Sequence, residues 1–460
     1  MAIPNTGKVT FFTTCKPFTG GAAILQRNAL LTWQKLGLKI IICGPEDGAT
    51  EAAADFGAKH IPDIETNDKG TPLIRGIFSK AAQACDTPFL AYINADILLT
   101  PSVVASVAAF LDGRSAQNPF LMTMRRRNIP LGGALETEGD KWLDQLNRLD
   151  QKFGSWDQSN AIDLFLFSRD LFGDIIPLVV GHMQWDNWLL WRAHTLGADI
   201  IDGSLNSALL HPIHGYVSDG TGLNERTQGA QAVKNRQLAA GNSMTLTTAT
   251  THILHGGETL PLSEKLKARL EATCQPNAAK EFWAGLKYLG YAKDRCTMVE
   301  LLDCCRTILW RFERFFPVFE NALPTGDQFN RMVPAALDAG ERSDLDSAAN
   351  AVQDLVCTGF LDRLRAIATS GRPIFIWGCG TAGLRMASCL KRHQINVSGF
   401  LDRDGAKTGT NVGGLMVVGS DISEADAGAK PYLLIASMHA SEIAAGFETR
   451  GLEKHQDFTG

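Results

Sequence analysis

The chain has 460 residues, which at about 100–200 residues per domain amounts to two to four domains. Hydrophobic residues make up 45% and charged residues 20%, the balance of a soluble globular protein that buries large cores without staples. The formal net charge of −5 offers no basic field to nucleic acid, and the one basic cluster, Arg125-Arg126-Arg127, is too short to serve as a nucleic-acid arm. Ten cysteines occur singly or as the pair Cys304-Cys305, without zinc spacing, which fits a reducing compartment better than a disulfide framework. Met1 to Lys8 lacks the layout of a signal peptide, and no uninterrupted apolar run of about 18 residues occurs. The expectation is a soluble cytoplasmic protein with no membrane span, whose net charge still allows peripheral membrane contact through a local patch.

In chain order, Val9 to Thr13 is β-branched and aromatic and predicts a first strand. Ile24 to Leu36 has helical periodicity and stops at Gly37. Lys39 to Cys43 is a continuous apolar run broken by Gly44-Pro45, the pattern of a buried parallel strand. Thr50 to Phe56 predicts a helix, Lys59 to Ile61 a short strand, Pro72 to Cys85 a helix and Pro88 to Ile93 another buried strand. This alternation predicts a doubly wound, mostly parallel sheet. Residues 258–370 are rich in helix formers and aromatics (Phe282, Trp283, Trp310, Phe312, Phe315, Phe316) and predict a helical spacer between domains at 1–257 and 371–460. After Pro373 the alternation returns: Ile374 to Trp377 as a strand, Thr381 to Arg392 as a helix, Val397 to Leu401 and Tyr432 to Ala436 as strands, and a helix from Ser441.

The first candidate site lies in Phe89 to Leu99, where an apolar strand ends abruptly in Asn94-Ala95-Asp96. Asp96 thereby stands at the carboxyl end of a strand, where open α/β sheets bind ligands. A carboxylate beside a carboxamide suits a hard cation, Mn2+ or Mg2+, that holds the two phosphates of a nucleotide sugar; the other reading is a turn cap. Trp185-Asp186-Asn187-Trp188 sets an acid among aromatics. Aromatic faces pack on sugar rings, and the acid can act as general base or hold an acceptor hydroxyl; an amphipathic core helix is the alternative. His211 and His214, three residues apart, can complete a metal site begun by Asp96, and the residues leave open which of the two binds. One guanidinium of the Arg125 cluster suits a diphosphate, a solvated surface cluster being the other reading.

A second candidate site is Gly378-Cys379-Gly380-Thr381-Ala382-Gly383, which follows a strand and opens a helix. Gly378, Gly380 and Gly383 allow a tight turn and a phosphate at the helix N-terminus. Asp402 ends the next strand, about 20 residues on, as an acid that binds a ribose does. A mononucleotide-type fold follows. NAD or another nucleotide is the candidate ligand, against a purely structural role.

These pieces also carry a resemblance. Phe12-Thr13-Thr14 with Lys16-Pro17-Phe18, Gly44 to Gly48, Gly70 to Leu73, Tyr92 to Ile97, Ala161 to Phe167 and Trp185 to Leu190 occur in order over about residues 9–255. This half-chain resembles bacterial GT-A glycosyltransferases related to the large inverting family. The resemblance implies a GT-A doubly wound mixed sheet, with Thr13 and Thr14 lining the nucleotide pocket and Glu46 and Asp47 near the base. It matches Asp96 to the last acid of the Asp-x-Asp signature, with Asn94 in place of the first and contributing to donor binding. Asp186 matches the catalytic acid/base. Such enzymes tend to read His-Gln-Asn-His-Asp-Tyr where this chain has His211 to Tyr216. The C-terminal unit, with Val397 to Asp402 as its second shared block, resembles the small Rossmann-like domains fused to sugar acetyltransferases and sugar-modifying methyltransferases. The expected function is sugar transfer from a nucleotide sugar to a hydroxyl of a glycan or glycolipid acceptor, in bacterial polysaccharide or glycoconjugate synthesis. The rivals are an NAD-dependent sugar-modifying enzyme centred on Gly378 to Asp402 and a non-catalytic nucleotide-binding scaffold.

Overall fold

A computed structural model describes residues 6–214, 226, 229–292, 304–305, 345–420, 429–436 and 440–459. The chain divides into two compact units, Met1–Cys304 and Cys305–Gly460. Gly215, Tyr216, Trp310, Phe312, Phe315 and Phe316 lie outside the described residues. Among the described residues no helix is long and apolar enough to cross a membrane.

The first unit is a mixed α/β fold. Its strands are β1 (Val9–Thr14), β2 (Ile40–Cys43), β3 (Lys59–Ile61), β4 (Phe89–Ile93), β5 (Phe120–Thr123), β6 (Arg126–Ile129), β7 (Ser155–Trp156), β8 (Leu164–Ser168), β9 (Asp199–Asp202), β10 (Leu209–Pro212), β11 (His252–His255) and β12 (Glu258–Pro261). Nine of them form a sheet in the order β12-β11-β9-β5-β8-β4-β1-β2-β3, and β10-β6-β7 form a small second sheet. The expected helices are present at Gly20–Lys35, Ala49–Phe56 and Ile74–Gln83. The first begins ahead of the periodic residues because Gly20 to Ala23 extend it by a turn without contributing apolar bulk. The sheet is mixed because β8 runs antiparallel to both β4 and β5, while β1 pairs in parallel with β2 and β4.

Each sheet face is a core. In β4, Phe89, Ala91 and Ile93 join the cluster under the helix Gly20–Lys35, and Leu90 and Tyr92 join the opposite cluster with Phe78, Phe167 and Trp185. Period-2 alternation inside an all-apolar strand is what burial on both faces requires. β1 is the switch point, since the chain passes from it to β2 on one side and later to β4 on the other. The carboxyl ends of β1, β2 and β4 therefore open on one crevice. The helices Glu264–Thr273 and Ala278–Ala292 belong to this same unit.

The second unit holds β13 (Ile374–Trp377), β14 (Gly399–Leu401), β15 (Asn411–Val412), β16 (Leu415–Val418), β17 (Tyr432–Ile435) and β18 (Phe458–Thr459), ordered β15-β16-β14-β13-β17-β18. All its pairings are parallel except the β15-β16 edge hairpin. The helix Leu345–Thr369 supplies Cys357, Phe360, Leu361 and Leu364 to the core around Ile374 and Ile376.

Candidate active site

The crevice at the ends of β1, β2 and β4 is a cavity of about 590 Å³, whose wall includes Thr14, Glu46, Asp47, Asn94, Asp96 and His214. That volume suits a small-molecule ligand. Two polar atoms of its wall, Thr14 Oγ1 and Glu46 Oε2, are buried without a hydrogen-bond partner among the described residues. A bound ligand's donors would satisfy them. Burial pushes the Glu46 carboxyl above its ordinary value. Thr13 is fully buried and donates its hydroxyl to the Thr14 carbonyl at 3.2 Å, so Thr14 faces the cavity and Thr13 does not.

Asp96 is joined by both histidines. His214 Nε2 lies 3.3 Å and His211 Nε2 3.7 Å from Asp96 Oδ2. The ligand atoms of the three residues sit within 4.8 Å of one another, and among the described residues this is the one such His/Cys/Asp/Glu cluster. β6 and β10 pair in parallel and set His211 opposite Asn128. Asn128 Nδ2 donates to Asp157 Oδ2 at 3.0 Å and to Glu281 Oε1 at 3.1 Å. Ionised carboxylates only accept, so the amide nitrogen must face them and Oδ1 must face His211 Nδ1, 3.2 Å away. His211 therefore carries its proton on Nδ1 and turns the Nε2 lone pair to Asp96. Burial and then the Arg126 charge push the His211 imidazole down to about 3, so it is neutral. The other Asp96 oxygen, Oδ1, is buried with no hydrogen-bond partner among the described residues. Two imidazoles and a carboxylate converging on one point, next to an orphaned carboxylate oxygen, fit a divalent cation.

Asn94 is locked from the other side. Its Nδ2 donates to Asp163 Oδ1 at 2.5 Å and its backbone N–H donates to the Asp163 carbonyl at 3.0 Å. The amide thus offers its carbonyl oxygen to the cavity that it lines. Asp163 Oδ2 accepts from Arg126 at 2.9 Å, and the same guanidinium donates to Asp157 at 2.9 Å. Arg125 is elsewhere: 1% exposed, it donates to Asp202 at 3.3 Å and to Glu271 at 3.1 Å. The structure does not bring Arg125 to the cavity. Three consecutive arginines give strand alternation no mark of its register, which is why the sequence does not single out Arg126.

Asp186 stands in the first turn of the helix Trp185–Thr195, accepting from the Asn187 backbone N–H at 2.8 Å. Burial raises its carboxyl to about 6, with the nearby Asp163 charge adding to the rise. Trp185 lines the cavity, and Asp186 is one residue behind it. Trp188 packs into the core instead. Lys69, Arg226 and Tyr288 also line the cavity. The sequence does not mark them: Lys69 lies in a turn and Tyr288 in the segment read as a spacer.

In the second unit Gly378 has φ +100°, and a Cβ on Gly383 would meet the Gly378 carbonyl oxygen at 1.9 Å, so the turn requires both glycines. A Cβ on Gly380 would stand in open space. Asp402 Oδ2 accepts from the Cys379 backbone N–H at 3.1 Å and the Cys379 thiol at 3.0 Å. The acid expected to bind a ribose is here engaged by the turn itself.

No family model matches the chain, and no curated protein matches it. Solved structures similar to it include glucosyl-3-phosphoglycerate synthase from Mycobacterium tuberculosis with Mg2+ and UDP, at 15% identity over 44% of this chain and 70% of that one, TM-score 0.29. S. aureus TarS 1-349 with UDP-GlcNAc is similar at 10% identity over 75% of this chain and 90% of that one, TM-score 0.32. A CMP:2-keto-3-deoxy-manno-octonic acid synthetase complexed with CTP is similar at 13% identity over 50% of this chain and 99% of that one, TM-score 0.27.

Proposed function

We propose that the first unit is a GT-A glycosyltransferase that moves a sugar from a nucleotide sugar to an acceptor hydroxyl. The observation that carries this reading is the Asp96-His211-His214 cluster at the sheet's switch point, with Asp96 and His214 lining a cavity to which Thr14 Oγ1 and Glu46 Oε2 bring buried atoms without a hydrogen-bond partner among the described residues. Thr14, Glu46 and Asp47 would hold the nucleoside, and Asn94 would turn its amide oxygen to the donor. Asp96 with His211 and His214 would hold Mn2+ or Mg2+, which when bound neutralises the departing diphosphate. Asp186, ionised above about pH 6, would take the acceptor's proton if the anomeric centre inverts. A glycan or glycolipid acceptor in bacterial polysaccharide or glycoconjugate synthesis is the setting we propose. For the second unit the glycine turn supports binding of a nucleotide, for which Asp402 would exchange Cys379 for a ribose hydroxyl.

Calorimetric titration of UDP, GDP and CMP, with and without Mn2+, tests the reading in wild type and Asp96→Ala. One nucleotide is expected to bind with the metal and to lose that binding in the variant. Binding that ignores both Mn2+ and Asp96 would remove the transferase site.

A further inference from the structure

The helix Ala278–Ala292 lies in the stretch whose composition reads as a spacer, yet one of its residues lines the cavity and another holds the residue behind His211. Tyr288 forms part of the cavity wall. Glu281, only 8% exposed, accepts from Asn128 Nδ2 at 3.1 Å, and Asn128 in turn accepts from His211. A carboxylate buried merely to attach a helix is a poor device, since apolar residues of the same volume pack as well without the desolvation cost. Leu286 and Leu289 of the same helix already provide such packing.

We propose that Glu281 is a positioning residue of the cation centre: together with Asp157 it clamps the Asn128 amide, and the amide fixes the proton of His211 on Nδ1. Both amide hydrogens of Asn128 are then occupied by carboxylates, one from each side. Turning the amide over would set its oxygen against two anions. His211 is held as the tautomer whose Nε2 lone pair faces Asp96, which is the form that binds a metal. The helix that follows the sheet is thus a working part of the site. This inference rests on the proposed cation centre for its purpose, though the tautomer itself does not depend on a metal.

The test uses the full chain labelled with 15N-histidine, with the His211 signals assigned by their loss in His211→Gln. Metal-free wild type is expected to show His211 protonated on Nδ1 at neutral pH. Glu281→Leu should mix the tautomers and weaken Mn2+ binding about tenfold, and Glu281→Gln, whose amide oxygen still accepts, should restore both. Asn128→Leu should do the most damage, up to about a hundredfold in Mn2+ affinity. If that variant does not fold, the Glu281 pair decides alone. Wild-type His211 protonated on Nε2, or Glu281→Leu with unchanged histidine signals, would overturn the proposal. A wild type that binds no Mn2+ but shows the expected tautomer response would sink the cation reading and leave the clamp standing.

Discussion

Asp186→Asn separates activity from stability in a way that depends on pH. The carboxyl sits beside the cavity wall with a folded value of about 6 against an ordinary 3.8, mainly because burial disfavours the charge. The folded state therefore keeps a proton that the unfolded chain releases as pH rises from about 4. Stability falls across that window and is flat above about 6. The gap corresponds to about 3 kcal/mol at most. Asparagine keeps the acceptor for the Asn187 backbone N–H but carries no charge, so the variant is expected to be more stable than wild type at pH 7.5. That advantage should vanish near pH 4. Urea titrations at the two pH values measure it. Turnover should move the other way, falling at least about a hundredfold, while wild-type turnover rises through about pH 6 and levels off. A loss below tenfold with unchanged donor affinity would refute the general base, and a stability gain that persists at pH 4 would refute the electrostatic account.

Asn94→Asp sets a second carboxylate against Asp163 and should cost about 1–3 kcal/mol, much of it recovered in Asn94→Asp/Asp163→Asn; additive losses in a double-mutant cycle would break the pairing argument. Arg125→Met strands Asp202, which is fully buried, and should destabilise the first unit by about 3–5 kcal/mol while nucleotide titrations of the folded fraction stay unchanged. Gly383→Ala forces a methyl onto the Gly378 carbonyl oxygen and should lower the melting of the second unit by at least about 1–3 kcal/mol, without altering nucleotide binding in the first.

Features with local signals were legible before the structure. The apolar run that stops at Asn94-Ala95-Asp96 marks a strand end, and the three-residue spacing of His211 and His214 brings both rings to Asp96. The parallel strands read as apolar blocks for the same reason. The supporting polar network was not legible. Arg126 and Asn128 come from β6, Asp157 follows β7, Asp163 precedes β8 and Glu281 belongs to the helix Ala278–Ala292, so only tertiary packing assembles them. Arg125 shows the limit well: of two adjacent arginines, one is buried against Asp202 and Glu271 and the other binds Asp157 and Asp163. Tyr288 and Glu281 were hidden by context, because a helical stretch after a recognisable fold reads as a connector until its packing is seen.

Arg126 joins Asp163, which holds Asn94, to Asp157, which holds Asn128 and through it His211. One guanidinium is therefore common to the arm that holds Asn94 and the arm that holds His211. The two arms are coupled through Arg126, and a change at position 126 should disturb both Asn94 and Asn128. A substitution at Asn94 is thereby felt, through Asp163 and Arg126, as far as His211.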